Sequence, residues 1–417
     1  MEASAPVGRL RASAREHPRR TAFAGVFAAV ICCFVAIGTV LPILPKYVKG
    51  PIGAGDVAVG LVVGAFAFTA VVGRPVGGRM ADRRGRRGVV VLGMLIASVA
   101  GFLYLLPLGV GGLILARLVL GIGDGWVFTA GATWIVDLAP PERRGRVLGL
   151  FGLAVWGGLT IGPLLGEWVL HLGGYEAVFV LSAVLPLLGA AIAARVPDHH
   201  VPVAAGGDRD EAGAGADGLG ASARRPGQGL RSLLPRGVVL PGVALSLVNV
   251  GYGTLAGFVV LHMAARGVPE GTAVFTAFAA ATVFGRVVLG SLPDRFGAVP
   301  TSIAAGAAEA AGLAVLAMAS SLPVALAGAA VMGCGFSLLF PSLAIIALSR
   351  TRDDQRGVAL GAVTAFFDIG VGLGAPLAGA AVALAGGYPA AFWFAAACAV
   401  LGGLTMLGLL RPAPPQR

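Results

Sequence analysis

The sequence predicts an all-α membrane protein whose twelve transmembrane helices form two parallel-repeat bundles of six. Three observations carry this. Of 417 residues, 57% are hydrophobic and 12% charged, with mean hydropathy +0.87, whereas water-soluble domains keep about a quarter charged. At about 20 residues per crossing, the hydrophobic content suffices for about twelve spans. The two halves of the chain repeat one another.

The apolar runs lie near 22–44, 57–78, 88–109, 111–136, 145–169, 176–195, 237–261, 271–292, 299–320, 323–349, 357–385 and 389–410. Runs above about 25 residues imply tilt or protruding ends. The first run follows Arg9, Arg11, Arg15, Arg19 and Arg20 but is too long for a signal-peptide core, so it stays as the first span. Residues 197–236, with Gly206, Gly207, Asp208, Arg209, Asp210 and Glu211, lack apolar periodicity and read as a flexible linker. The expected organisation is an N-terminal segment 1–21, a first bundle 22–196, the linker 197–236, a second bundle 237–410 and a tail 411–417.

Charge sets the topology. Of the 31 Lys and Arg, 25 fall at the N-terminus, in even-to-odd loops or at the C-terminus; Lys46, Lys49 and Arg266 lie opposite, and Arg74, Arg117 and Arg286 sit within spans. Basic residues accumulate in cytoplasmic loops, so both termini are expected to be cytoplasmic. The same rule accounts for the net charge of +11 without nucleic acid. Lysine occurs only at Lys46 and Lys49, so no phosphate-cradling G-x-x-x-x-G-K-[ST] loop is present. Cys32, Cys33, Cys334 and Cys398 lie in apolar runs, which suggests neither disulfides nor metal ligands. No cofactor is implied.

At an offset of 212, Gly73-Arg74 matches Gly285-Arg286, Gly78 matches Gly290, Asp82-Arg83 matches Asp294-Arg295, Gly85 matches Gly297, and Arg144-Gly145 matches Arg356-Gly357. Gly158 and Gly162 match Gly370 and Gly374. Six spans per half is an even number, so the repeats run the same way through the bilayer, an arrangement that puts a binding cavity between them near the midplane.

The loop after the second span reads Gly78-Arg79-Met80-Ala81-Asp82-Arg83-Arg84-Gly85-Arg86-Arg87, with a shorter copy, Gly290-Ser291-Leu292-Pro293-Asp294-Arg295-Phe296-Gly297, after the eighth. Both resemble the G-x-x-x-D-R-x-G-R-[RK] signature of the major facilitator superfamily of secondary transporters. The resemblance implies that Asp82 faces the start of the eleventh span near Gly357, where unpaired N–H groups carry partial positive charge. It also implies that Arg86 pairs with Asp137, latching the cytoplasmic side in one state. Arg83, Arg84 and Arg87 serve either that latch or the positive-inside bias. In the fifth span, Gly158-Leu159-Thr160-Ile161-Gly162-Pro163-Leu164-Leu165-Gly166 resembles the G-x-x-x-G-P-x-x-G-G motif of antiporters in this superfamily, with Glu167 in place of the last glycine. Small residues four apart allow close helix approach, and proline bends the span. The whole chain from about 22 to 410 resembles the twelve-helix drug/proton antiporter (arabinose-efflux-like) branch.

A charge within the hydrocarbon costs at least ~2.5 kcal/mol unless it faces a partner or a cavity, which makes buried ionisable groups functional candidates. Arg117 and Asp124 stand in the fourth span, in Arg117-Leu118-Val119-Leu120-Gly121-Ile122-Gly123-Asp124-Gly125. Seven residues advance a helix by about 10.5 Å and return nearly to the same azimuth, too far for a direct salt bridge. Asp368 and Glu309 lie about 17 and 14 Å into the eleventh and ninth spans. By resemblance, spans one, four, seven and ten line the cavity and spans two, five, eight and eleven flank it, so Asp368 reaches it more readily than peripheral Glu309. Asn249 and Tyr252 in the seventh span are either ligand contacts or interhelical glue.

These residues imply a secondary transporter in the cell inner membrane, most simply a monomer, moving a small amphipathic compound outward against protons. Asp124 carries the coupling, with Arg117 and Asp368. Proton-coupled uptake or uncoupled passage is the alternative on the same fold. Gly121-Ile122-Gly123-Asp124 also matches the G-x-G-D motif of intramembrane aspartyl proteases, with Asp368 as second carboxylate. The duplicated plan and the lack of a Tyr-Asp pair or Pro-Ala-Leu tripeptide leave that enzyme reading remote. A non-transporting sensor on this fold would need no such acids.

Overall fold

In lipid every backbone N–H and C=O must be satisfied within the chain, which leaves helices or closed barrels as the spanning structures. A chain rich in Ala, Leu, Val and Gly takes the first course. The computed structural model describes residues 5–140, 143–197, 235–352 and 355–410, and among them there is no strand. Its helices are α1 (Ala5–Val40), α2 (Ile43–Lys49), α3 (Asp56–Arg84), α4 (Arg86–Leu103), α5 (Gly109–Asp137), α6 (Arg144–Arg195), α7 (Arg236–Ala265), α8 (Gly271–Val288), α9 (Leu292–Phe296), α10 (Ala298–Met318), α11 (Leu322–Ser349), α12 (Arg356–Ala385) and α13 (Pro389–Leu407).

Eleven of these segments are long and apolar enough to cross a bilayer. One of them, α6, has 52 residues and is broken at Gly174 (φ 71°, ψ −169°), a conformation that only glycine adopts without strain. The break makes two crossings and brings the number to twelve. The fifth and sixth apolar runs are therefore two helices, as expected, meeting directly at Gly174 with no longer loop between them. The first run is likewise longer than read, because α1 begins at Ala5. The eighth ends early, at Val288, with α9 as a separate turn. Of the expected linker, residues 198–234 lie outside the described residues, as does the tail 411–417. Prolines at 75, 163, 186, 241, 341 and 376 stand inside helices, where neighbouring helices can re-satisfy the freed carbonyls. Large apolar side chains such as Val72, Val287 and Leu384 point outward, as a lipid-facing surface requires.

The duplication is repeated in the backbone. Gly85 closes α3 with φ 92°, ψ 154°, and its counterpart Gly297 closes α9 with φ 89°, ψ 148°. Within the first half α1 packs on α6, and α5 on α3 and α4; within the second α7 packs on α12 and α13, and α11 on α8 and α10. The halves meet along two seams, α3 with α12 and α6 with α8, and the repeat exchanges one seam for the other.

The α3–α12 seam is tight at one end. A Cβ at Gly64 would come within 2.6 Å of the Gly372 carbonyl oxygen, and one at Gly379 within 3.1 Å of the Val57 Cα. Toward the Arg-rich end the halves part: a Cβ at Gly145 or Gly149 of α6, or at Gly361 of α12, would meet nothing within 4 Å. The molecule is closed at the end bearing Lys46 and Asp56 and open toward the end bearing Gly85 and Gly297.

Candidate functional site

Arg74 of α3 sits in the α3–α12 seam. Its Nε donates to Asp368 Oδ2 at 2.8 Å and its Nη2 to Asp368 Oδ1 at 3.2 Å, a two-pronged pair across the halves. The same Nη2 reaches Asp124 Oδ2 of α5 at 3.4 Å, within its own half. The guanidinium carbon lies 4.5 Å over the Phe128 ring. Asp368 is 1% and Asp124 6% exposed. One cation thus serves two enclosed carboxylates, strongly the one opposite and weakly the one beside it.

Local sequence explains how α5 brings Asp124 there. The flanking glycines remove the bulk that would keep helices apart. A Cβ at Gly125 would stand 3.3 Å from the Arg74 Cγ, and one at Gly123 would stand 2.6 Å from the Gly93 carbonyl oxygen of α4. Gly121 faces Phe66 and Thr69 of α3, and Thr69 Oγ1 donates to the Leu118 carbonyl at 2.6 Å. The G-x-G-D-G pattern is a packing device. On α12, Gly372 likewise backs onto Ala67.

The other expected residues divide. Arg117 is 1% exposed and donates to the carbonyls of Val62 and Val63 at 3.2 and 2.9 Å, with its guanidinium 4.6 Å over Phe66. It ties α5 to α3 instead of facing Asp124. Asn249 donates to the Leu245 carbonyl of its own helix at 2.8 Å, while its Oδ1 is enclosed without a partner. Tyr252 belongs to a ring cluster with Trp156, Phe278 and Phe336 at 5.8, 5.9 and 5.6 Å between centroids. Glu309 is fully enclosed in the second half, away from the seam, with both oxygens unpartnered and Oε1 beside Gly251.

At the open end Arg86 of α4 bonds across the Gly85 turn to Asp82 of α3 and to Asp137 Oδ2 at 3.1 Å. Gly78 and Gly85 are buried and Arg83 is exposed. Asp294 and Arg295 are exposed too, with no ion pair among the described residues. Gly158, Gly162, Pro163 and Gly166 face α1: a Cβ at Gly158 would meet Phe34 at 2.7 Å, one at Gly162 would meet Gly38 at 2.6 Å, and Gly166 backs onto Thr39.

Two residues with a place in this geometry were not singled out by sequence reasoning. Arg74 read only as a charge inside a span, although two intramembrane acids call for a cation and the Gly-Arg pair recurs in both halves. Glu167 read only as a departure from the glycine motif. At the closed end Lys46 Nζ bonds both its oxygens at 2.8 and 2.7 Å, and Thr272 Oγ1 of the other half donates to Oε2 at 2.7 Å. The aspartyl protease reading is not supported: a guanidinium occupies the place between Asp124 and Asp368 where two carboxyls would have to share a proton.

Comparison with known proteins agrees with this architecture. The family model described as Major Facilitator Superfamily matches residues 26–273 and 248–417. An uncharacterized MFS-type transporter of Salmonella typhimurium is 32% identical over 394 residues, covering 93% of this chain and 96% of the relative. One from Burkholderia mallei is 31% identical over 398 residues, covering 92% of each. Among solved structures, the nucleoside transporter NupG superposes with TM-score 0.70 at 14% identity, over 94% of this chain and 99% of that one. The human organic anion transporter MFSD10 superposes with TM-score 0.66 at 19% identity, over 93% and 99%. At those identities the likeness is one of fold. A duplicated twelve-crossing plan with charged groups enclosed between its halves, together with these sequence matches, makes this chain a multi-pass membrane transporter belonging to the Major Facilitator Superfamily.

Proposed function

We propose that this transporter is a proton-coupled exporter of a small amphipathic compound, of the drug/proton antiporter (arabinose-efflux-like) branch. It works as a monomer in the cell inner membrane with both termini cytoplasmic. The bundles 22–196 and 237–410 rock about the seam, joined by the linker 197–236. Asp124 carries the proton. The Arg86 group with Asp82 and Asp137, and the second copy at Asp294 and Arg295, gate the cytoplasmic side.

The observation that carries this reading is the division of Arg74 between a carboxylate in its own half and one across the seam. With Asp124 ionised, two anions draw on one guanidinium, and the pull toward Asp124 works against the tie to Asp368. A proton on Asp124 removes that claim, leaves Arg74 to Asp368 and strengthens the bond between halves. Two unit charges about 4 Å apart interact by roughly 4 kcal/mol at an effective dielectric of 20, and about 1.4 kcal/mol shifts a two-state equilibrium tenfold. A proton falling through 100 mV releases about 2.3 kcal/mol, so the drive and the switch are matched in size. The antiporter-like Gly158, Gly162, Pro163 and Gly166 series supports the outward direction.

The test uses proteoliposomes with an imposed pH gradient, adding a lipophilic dye and recording proton leakage. The parent is expected to couple dye and proton movement, and Asp124→Asn and Asp368→Asn to lose the coupling. Unchanged dye-dependent proton flux in both variants refutes the assignment. Direction is read separately, from whether expression lowers cellular accumulation of the dye; higher accumulation favours uptake.

A further inference from the structure

The repeat gives Arg74 a counterpart whose situation differs. At the offset of 212, Arg74 of α3 corresponds to Arg286 of α8, and Asp368 of α12, its partner across the seam, corresponds to Trp156 of α6. The second seam therefore repeats the first with an indole in place of the carboxylate. The Arg286 guanidinium carbon lies 5.9 Å from the Trp156 ring centroid, at the outer limit of about 6 Å for a cation–π contact. No acceptor among the described residues replaces the missing carboxylate. Its Nε is enclosed without a hydrogen bond, and its Nη1 stands 3.3 Å from where a Cβ on Gly152 would be.

Arg286 is half-buried, and a guanidinium whose Nε is enclosed without an acceptor leaves part of its desolvation cost uncompensated. A lipid-interface anchor would reach outward to water, whereas Arg286 reaches inward across the gap to the other half. The space in front of it is open on one side. Gly145, Gly149, Gly152 and Trp156 fall at helical spacing on one face of α6, and the first two meet nothing within 4 Å, so the gap continues toward the Arg-rich end. Behind it stands an aromatic cluster, mostly enclosed: Trp156, 7% exposed, packs on buried Phe336 at 5.2 Å and on buried Tyr252 at 5.8 Å, and Phe336 continues to half-buried Phe367 at 6.1 Å.

We propose that Arg286 is the anion-binding group of the substrate site, and that the transported class is an amphipathic organic anion, its carboxylate or sulfonate held by Arg286 and its apolar body laid in the gap beside Trp156 and half-buried Phe367. Guanidinium forks match such anions with two parallel hydrogen bonds, and the aromatic cluster supplies apolar contact. The anion takes the place in the second seam that Asp368 fills in the first. The inference deepens the transporter reading and rests on it, but is independent of direction and of proton coupling.

Equilibrium binding of three labelled probes of one shape to the purified full-length protein in nanodiscs tests it: naphthoate, naphthylmethanol and naphthylmethylammonium. Naphthoate is expected to bind at least roughly tenfold more tightly than the neutral alcohol, the size of a charge-assisted hydrogen bond, and the cation most weakly. Arg286→Gln is expected to erase the preference while retaining the alcohol, Arg286→Lys to keep part of it, and Arg146→Gln, the same charge change at an exposed position, to leave it intact. Equal binding of anion and alcohol by the parent overturns the proposal whether or not Arg286→Gln folds, as does a preference that survives in Arg286→Gln. The transporter reading fails separately: anion preference present, but no gradient-driven flux of any probe in proteoliposomes.

Discussion

Glu309 and Arg74 show how differently a buried charged side chain can be housed. Arg74 has three contacts to carboxylate oxygens, so its burial is offset by its partners. Glu309 has none: both oxygens are enclosed without a partner inside the second half, Oε1 against Gly251. An unsatisfied buried polar group costs about 1–3 kcal/mol, and replacing it by an apolar group of similar shape removes that cost. Glu309→Leu is therefore expected to stabilise the protein by about that amount in thermal unfolding in detergent, with dye flux in proteoliposomes unchanged. A flux reduced to background would show that Glu309 handles substrate or proton. Asp124, enclosed and in reach of Arg74, lacks this freedom.

At the level of the element, glycines determine which helices can touch. The α1–α6 contact is a reciprocal seam: Gly158 and Gly162 accept Phe34, Val35 and Gly38 of α1, while a Cβ at Gly38 would stand 3.1 Å from the Gly158 carbonyl oxygen. Gly157 is one residue from this seam, and a Cβ there meets nothing within 4 Å. Overpacking a fitted contact costs typically about 1–3 kcal/mol or more, whereas a residue facing open space has no such cost. Gly162→Leu is expected to lower the unfolding temperature and the yield of folded protein, and Gly157→Leu to leave both near the parent. Equal losses in the two variants would show that helix propensity or insertion, not the seam, sets the effect. The G-x-G-D-G segment of α5 obeys the same rule against α3 and α4, which is why its resemblance to a protease motif is accidental.

Across the whole molecule, the state observed is held by contacts at one end. Besides the backbone approach of α3 to α12, the Glu167 carboxylate joins Lys46 of the first half to Thr272 of the second. The pair is about a quarter exposed, with Lys46 at 21% and Glu167 at 25% side-chain exposure, so its strength lies above the ~0–1 kcal/mol of fully exposed pairs and is weakened by salt. Glu167→Gln is expected to open this end. Spin labels at positions 52 and 268, on loops of opposite halves, should give a distance distribution broadened toward longer separations in the variant and unchanged in Glu176→Gln. An unaltered distribution would leave the closure to the glycine contacts and the Arg74–Asp368 pair. The two seams, with a salt bridge in one and a guanidinium facing an indole in the other, make the repeat asymmetric in charge.

Spans, their number and their pairing by repetition follow from local properties: an apolar run long enough to cross the bilayer must be a helix, because lipid offers its backbone no other partner. The turn at Gly85 and its copy at Gly297 were legible for the same reason, since the need for glycine is a property of one residue's backbone. Intramembrane charge also marked Asp124 and Asp368 from the sequence alone, because a charge in hydrocarbon is costly wherever it points. Which groups meet was not legible. Arg74 and Asp368 are 294 positions apart, Lys46 and Glu167 are 121 apart, and Arg117 turned to backbone carbonyls of α3 that no side-chain pattern advertises. Periodicity constrains the face a residue takes on its own helix, but the neighbour that face meets depends on how the two bundles dock, and only the tertiary arrangement decides that.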